Sequence, residues 1–182
     1  MKRSELTSKV AAAIAGRSLV CITRKVEAGT AKGYIVDASE QWQVLLLIGG
    51  GISYEGFQVF RLQDVTSLEM RAPYADFYEA AIRKRGLRRP RAPKLDLSSA
   101  QALVQSAGKR YPLITIHREK ADPEVCHIGQ VVSLSASSVS LLEVGPDAIW
   151  EDLPTKYRLA EITRVDFAGP YEEALALVAM KR

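Results

Sequence analysis

Long apolar runs, cysteine and histidine are all scarce in this 182-residue chain, and each scarcity removes a class of protein. No apolar run approaches the roughly 18 residues that a membrane-spanning helix needs. The Ala11–Ala15 run is too short, and the Ser4–Lys9 stretch behind Lys2 and Arg3 is too polar for the core of a signal peptide. Cysteine occurs twice, as Cys21 and Cys126, at non-equivalent places. Two such cysteines without an export signal read as free thiols, not as a disulfide framework. Together these features predict a cytoplasmic protein with no membrane contact. There is no Ser-His-Asp set, no carboxylate pair at a defined spacing, no metal motif and no dinucleotide fingerprint, so no catalytic residue is assigned. The chain reads as a non-enzyme without a cofactor or a bound metal.

What is present is a repeat. Leu19-Val-Cys-Ile-Thr-Arg-Lys answers Leu113-Ile-Thr-Ile-His-Arg-Glu, and Gly33-Tyr-Ile-Val answers Gly129-Gln-Val-Val. Val44-Leu-Leu-Leu-Ile answers Ser140-Leu-Leu-Glu-Val, Phe60-Arg-Leu-Gln-Asp-Val-Thr answers Tyr157-Arg-Leu-Ala-Glu-Ile-Thr, and Pro73-Tyr74 answers Pro170-Tyr171. Self-similarity at this period fixes the architecture more firmly than propensity does. It divides the chain into a first domain, residues 1–82, a connector, 83–94, and a second domain, 95–182.

Charge separates along the same lines. Residues 1–82 carry nine basic and nine acidic side chains, 83–94 carry seven basic and none acidic, and 95–182 carry nine basic and twelve acidic. The high pI belongs to the Arg/Pro connector, and neither half is basic as a whole.

Each copy reads helix, five short strands, helix. The first helix runs from Ser4 to Ala15 with Gly16 placed to stop it. Its counterpart runs from Ser98 or Ser99, suited to cap free amide hydrogens, to Ala107, with Gly108 after it. Strands are expected at Leu19–Arg24 and Leu113–Arg118, from Gly33 and Gly129, at Gln43–Ile48 and Val139–Val144, at Gln58–Leu62 and Thr155–Leu159, and near Val65–Met70 and Ile162–Phe167. Hairpins join the first two strands of each copy at Glu27–Thr30 and Ala121–Glu124. Glycine inside a strand marks a sharp bend or a close backbone approach. Pro73 and Pro170 each open a closing helix, where Tyr74, Phe77, Tyr78 and Ala81, or Tyr171, Ala174, Leu175 and Val178, form a stripe.

A leading helix and five bent strands with a central glycine resemble the Sm-like fold superfamily, over nearly all of both halves. The resemblance implies a mainly β fold class with short helices: two tandem Sm-like five-stranded barrels, each with an N-terminal and a C-terminal helix. In RNA-binding Sm proteins an Asp and an Asn, spaced after the strand-two glycine, grip a base. Here Asp37 follows Gly33 too early, only serines follow Gly129, and the chain has no asparagine. The Arg/Lys-Gly signature near strand four is also missing.

Candidate binding residues fall in two groups. Arg83, Arg85, Arg88, Arg89 and Arg91 of the connector suit nucleic-acid phosphates, against the plain reading of a solvated spacer. Tyr54 and Trp150 occupy the equivalent variable loop of the two copies and suit a protein partner or a stacked base, against packing over the core. Trp42 joins them as a third aromatic in a turn. Arg61 with Asp64, and Arg158 with Glu161, read as structural pairs bridging strands four and five. Gly49-Gly50-Gly51 reads as a hairpin, not a phosphate cradle. His117, Cys126 and His127 stand close enough on a hairpin to offer metal ligands, with unrelated histidines as the simpler reading. The expectation is a non-catalytic interaction or scaffold protein. Its partner is a protein or another copy, met through barrel edges, with nucleic-acid binding through the connector as the alternative.

Overall fold

The computed structural model describes residues 2–26 and 29–179. The chain is mainly β, with four α-helices among the described residues; its strands pair antiparallel, and it divides into two compact units, Met1–Pro93 and Lys94–Arg182. No described helix is long and apolar enough to cross a membrane.

The first unit opens with helix α1 (Arg3–Gly16), whose Leu6, Val10 and Ala13 are buried. Five strands follow: β1 (Leu19–Arg24), β2 (Thr30–Ala38), β3 (Trp42–Ile48), β4 (Tyr54–Arg61) and β5 (Val65–Glu69), in the sheet order β5-β1-β2-β3-β4. A 3-10 turn, Leu62–Asp64, joins β4 to β5. Leu6 and Val10 pack with Val20, Ile22, Ile35, Leu45, Phe60 and Leu68 into one core, which is why β1 and β3 are apolar over nearly their whole length. Helix α2 (Ala75–Lys84) follows β5. Glu27 and Ala28 of the expected first hairpin lie outside the described residues.

The second unit repeats this series. Helix α3 (Ala100–Arg110) precedes β6 (Ile114–His117), β7 (Cys126–Leu134), β8 (Ser138–Glu143), β9 (Thr155–Arg158) and β10 (Arg164–Phe167), in the order β10-β6-β7-β8-β9. The 3-10 turn recurs at Leu159–Glu161, and helix α4 (Pro170–Ala179) ends the described chain. Even the irregularities coincide: the β2–β3 register shifts between Ile35 and Asp37, and the β7–β8 register shifts between Val131 and Ser133. A bulge there bends each second strand at the same point. The two strand glycines sit next to that bend for a steric reason. A Cβ on Gly33 would lie 2.1 Å from the carbonyl oxygen of Leu46, and one on Gly129 would lie 2.3 Å from that of Leu142.

Several expectations need correction. Ser99 does cap α3, accepting from the amide of Ala102 at 3.0 Å, but the helix continues past Gly108 to Arg110. Gly108 is there for space: a Cβ would meet Val131 at 2.6 Å. Trp42 is no turn residue; it begins β3 and is buried, because the strand starts one residue earlier than its apolar run. On and before α2, Tyr74 and Phe77 of the expected stripe are exposed, and the helix buries Ala75 and Ile82.

Candidate functional site

The basic segment after α2 does not leave the first unit as a free spacer. Gly86, at φ +67°, turns the chain after the last helical turn, and the Leu87 amide bonds back to the Ile82 carbonyl at 3.1 Å. Arg85, which caps α2 just before this reversal, reaches the β3–β4 turn, where its Nη1 donates to the carbonyls of Gly51 and Ile52 at 2.7 and 2.9 Å. The glycine run therefore presents carbonyls to a guanidinium, the opposite of a phosphate cradle. Four residues on, the Arg89 guanidinium lies over the Tyr34 ring of β2, 4.1 Å from its centre. Burial lowers the Arg89 pKa from its ordinary value. Burial also pushes the Tyr34 hydroxyl up to about 12, reinforced by Glu79, whose carboxylate accepts from it at 3.4 Å. Tyr54, expected in a loop, opens β4 half-buried, and burial followed by the Glu79 charge raises its pKa. Beside them the Lys32 ammonium stands 5.1 Å over the Tyr78 ring. Two of the five candidate arginines, Arg85 and Arg89, thus hold the segment to unit 1, and all five of Arg83, Arg85, Arg88, Arg89 and Arg91 are exposed.

In the second unit Trp150 is a strut. It bridges to Val144, packs with Leu113, Leu175 and Ala176, and donates from Nε1 to the Ala179 carbonyl at 2.8 Å. Its neighbours Ile149 and Leu153 carry the exposure instead.

The acids of the 3-10 turns bind the end of the first strand. Glu161 meets Arg118 at 2.9 Å, closer than Arg158 at 3.9 Å, and the buried Asp64 meets Lys25 at 3.4 Å. Both units then place a guanidinium over an aromatic ring: Arg24 over Phe60 at 4.9 Å and Arg118 over Tyr157 at 5.1 Å. Around this shared motif the copies diverge. The first has Ala31, Leu47 and Phe60, and the second has His127, Glu143 and Tyr157 at the matching register positions. Tyr157 donates to Glu143 Oε1, while His127 Nδ1 faces Glu143 Oε2 at 3.1 Å and the Tyr157 oxygen at 2.8 Å. The single phenolic proton is committed to Glu143, so the network assigns the imidazole hydrogen to Nδ1. That leaves His127 Nε2 buried without a hydrogen-bond partner among the described residues. Burial, then the bond and charge of Glu143, push the Tyr157 pKa well up. This trio was not singled out from the sequence. Its signal was there, in a glutamate that answers Leu47 and a hydroxyl added at Phe60.

The metal reading dissolves on strand geometry. Cys126 pairs opposite His117, but His127 pairs opposite Ile116, on the other face of β7. His117 is held instead by Asp166, 3.0 Å from Nε2, and Arg164 bridges Asp166 at 3.1 Å to Glu119 at 3.3 Å. Partial desolvation of the otherwise exposed Cys126 thiol and then the nearby Asp166 raise its pKa, which is the reverse of activation.

No family model matches the chain, and comparison with curated proteins and with solved structures returns no match.

Proposed function

We propose that this chain is a non-catalytic interaction protein built from two Sm-like domains in tandem, and that its partner is a protein. The fold half of this reading is supported by the repeated series of leading helix, five antiparallel strands with a bulged, glycine-bearing second strand, and closing helix. The observation that carries the functional half is the apolar side chains turned to solvent at both closing helices: Tyr74 just before α2 and Phe77 on it, and Tyr171, Leu177 and Val178 on α4. Isolated surface apolar residues are ordinary, but a cluster on the same element of both units marks a place where a partner docks. The free thiols, Cys21 buried and Cys126 exposed, fit a reducing cytoplasm.

The test is photo-crosslinking in cells with a benzophenone side chain at Leu177 or Phe77, and the same group at the exposed Ser137 as control. Protein adducts from the helix positions alone are expected. Adducts with nucleic acid only, or with nothing, overturn the reading.

A second reading is favoured by one observation, the exposure of Arg83, Arg88 and Arg91 beside Arg85 and Arg89, which fix the segment's path. A basic segment with a fixed path suits a nucleic-acid backbone. It predicts binding to single-stranded RNA or duplex DNA that weakens steeply with salt and is lost in Arg83→Ala/Arg88→Ala/Arg91→Ala. Fluorescence anisotropy across a salt series checks it, and absence of binding at low salt removes it.

A further inference from the structure

Helix α4 is apolar on two faces. Leu175, Ala176 and Ala179 are buried in the second unit, while Tyr171 is 53%, Leu177 78% and Val178 64% exposed. Its only charged residues are Glu172 and Glu173, both in the first turn. A helix that is apolar all round is ordinarily covered all round, and the outward face of this one is open.

Helix α2 offers the matching surface. Tyr74 and Phe77 are 79% and 61% exposed at its start, and Arg83 and Lys84 form its last turn. Both helices have ten residues, so each is about 15 Å long. Laid antiparallel, they bring the basic end of α2 beside the acidic start of α4 and the aromatic start of α2 beside Leu177 and Val178. The macrodipoles then oppose as well.

We propose that a second copy of this chain covers α4, with the α2 face of one copy docked on the α4 face of the next. The inference rests on the protein-interaction reading above and names the partner. Charge argues for a second copy: the basic surplus of residues 83–94 and the acidic surplus of 95–182 belong to one chain, so copies complement each other head to tail. Such a contact is heterologous, each copy giving one surface and receiving the other. Glu172 and Glu173 repel a phosphate backbone, which removes nucleic acid as the occupant of this face.

Sedimentation velocity of the full chain over a wide concentration range, at low and high salt, tests it. The mean mass is expected to rise with concentration, and salt is expected to weaken association. Arg83→Glu/Lys84→Glu and Glu173→Lys change only exposed side chains, Glu172 being kept because it accepts from the buried Thr115 hydroxyl at 2.7 Å, and each is expected to weaken self-association about tenfold or more. Mixing the two variants makes both contacts between unlike copies complementary in charge and is expected to return association between them. A chain monomeric at every concentration overturns the inference, as do charge variants that associate like the parent or fail to recover on mixing. Crosslinks from Leu177 to another protein, with the chain itself monomeric, overturn this inference and leave the interaction reading intact. Absence of any protein crosslink ends both.

Discussion

Removing one oxygen atom, in Tyr157→Phe, tests the polar trio of the second unit. The Tyr157 hydroxyl donates to Glu143 and touches His127 Nδ1, and the two partner side chains are only 19% and 13% exposed. Loss of a hydrogen bond to a buried carboxylate costs about 1.5–3 kcal/mol. In a unit of this size each kcal/mol moves the midpoint by roughly 4–8 °C, so the variant is expected to melt about 6–24 °C lower. Replacing the whole trio with the residues of the first unit, His127→Ala/Glu143→Leu/Tyr157→Phe, removes donor and acceptors together. Such exchanges leave no orphaned polar group, so the triple variant is expected to regain stability over Tyr157→Phe. The assay is urea unfolding followed by tryptophan fluorescence. The chain has two tryptophans, Trp42 in the first unit and Trp150 in the second, so a Trp42→Phe background reports the second alone. A change below about 0.5 kcal/mol for Tyr157→Phe, the size of an ordinary surface substitution, refutes the bonding described. A triple variant less stable than Tyr157→Phe refutes the idea that the two trios are interchangeable.

Three further expectations follow from single positions. Gln43 is fully buried with both amide atoms unpartnered, where the second unit has Val139; Gln43→Val is expected to stabilise the first unit by about 1 kcal/mol, and a lower midpoint in thermal melts counts against it. Gly129→Ala is expected to cost at least about 2 kcal/mol because its methyl meets the Leu142 carbonyl, whereas Gly50→Ala, with nothing within 4 Å, changes little; equal midpoints for the two exclude the close approach. Tyr34 and Tyr157 both have raised pKa values, so each neutral hydroxyl stabilises the fold below the unfolded value of about 10, and that stability is lost as pH rises from there toward about 12 for Tyr34. Unfolding midpoints measured up the alkaline range are expected to fall, and Tyr157→Phe flattens the slope in the second unit; a slope unchanged by that substitution assigns the loss elsewhere.

The repeat made most of the element series legible. Apolar runs and punctuating glycines located all ten strands to within a few residues, since buried strands need apolar residues whatever they pack against. Helix ends were less legible: Gly108 looks like a stop signal, and only the closeness of Val131 explains a glycine inside α3. The candidate sites were read least well. Tyr54 and Trp150 looked like equivalent loop aromatics, yet one opens a strand and the other braces a helix through the Ala179 carbonyl. The basic segment looked like a spacer because charge and proline say nothing of the Tyr34 ring, far away in sequence.

Residue order by itself determined the duplication, the strand and helix series within each copy, and the concentration of positive charge between them. All three depend on patterns local to the chain. The tertiary structure alone decided that Arg85 and Arg89 hold the basic segment to the first unit, that His127 faces Glu143 and Tyr157 and not Cys126, and that the closing helices keep an open apolar face. Those outcomes depend on strand register, where one residue's shift changes the face, and on contacts between segments far apart in sequence.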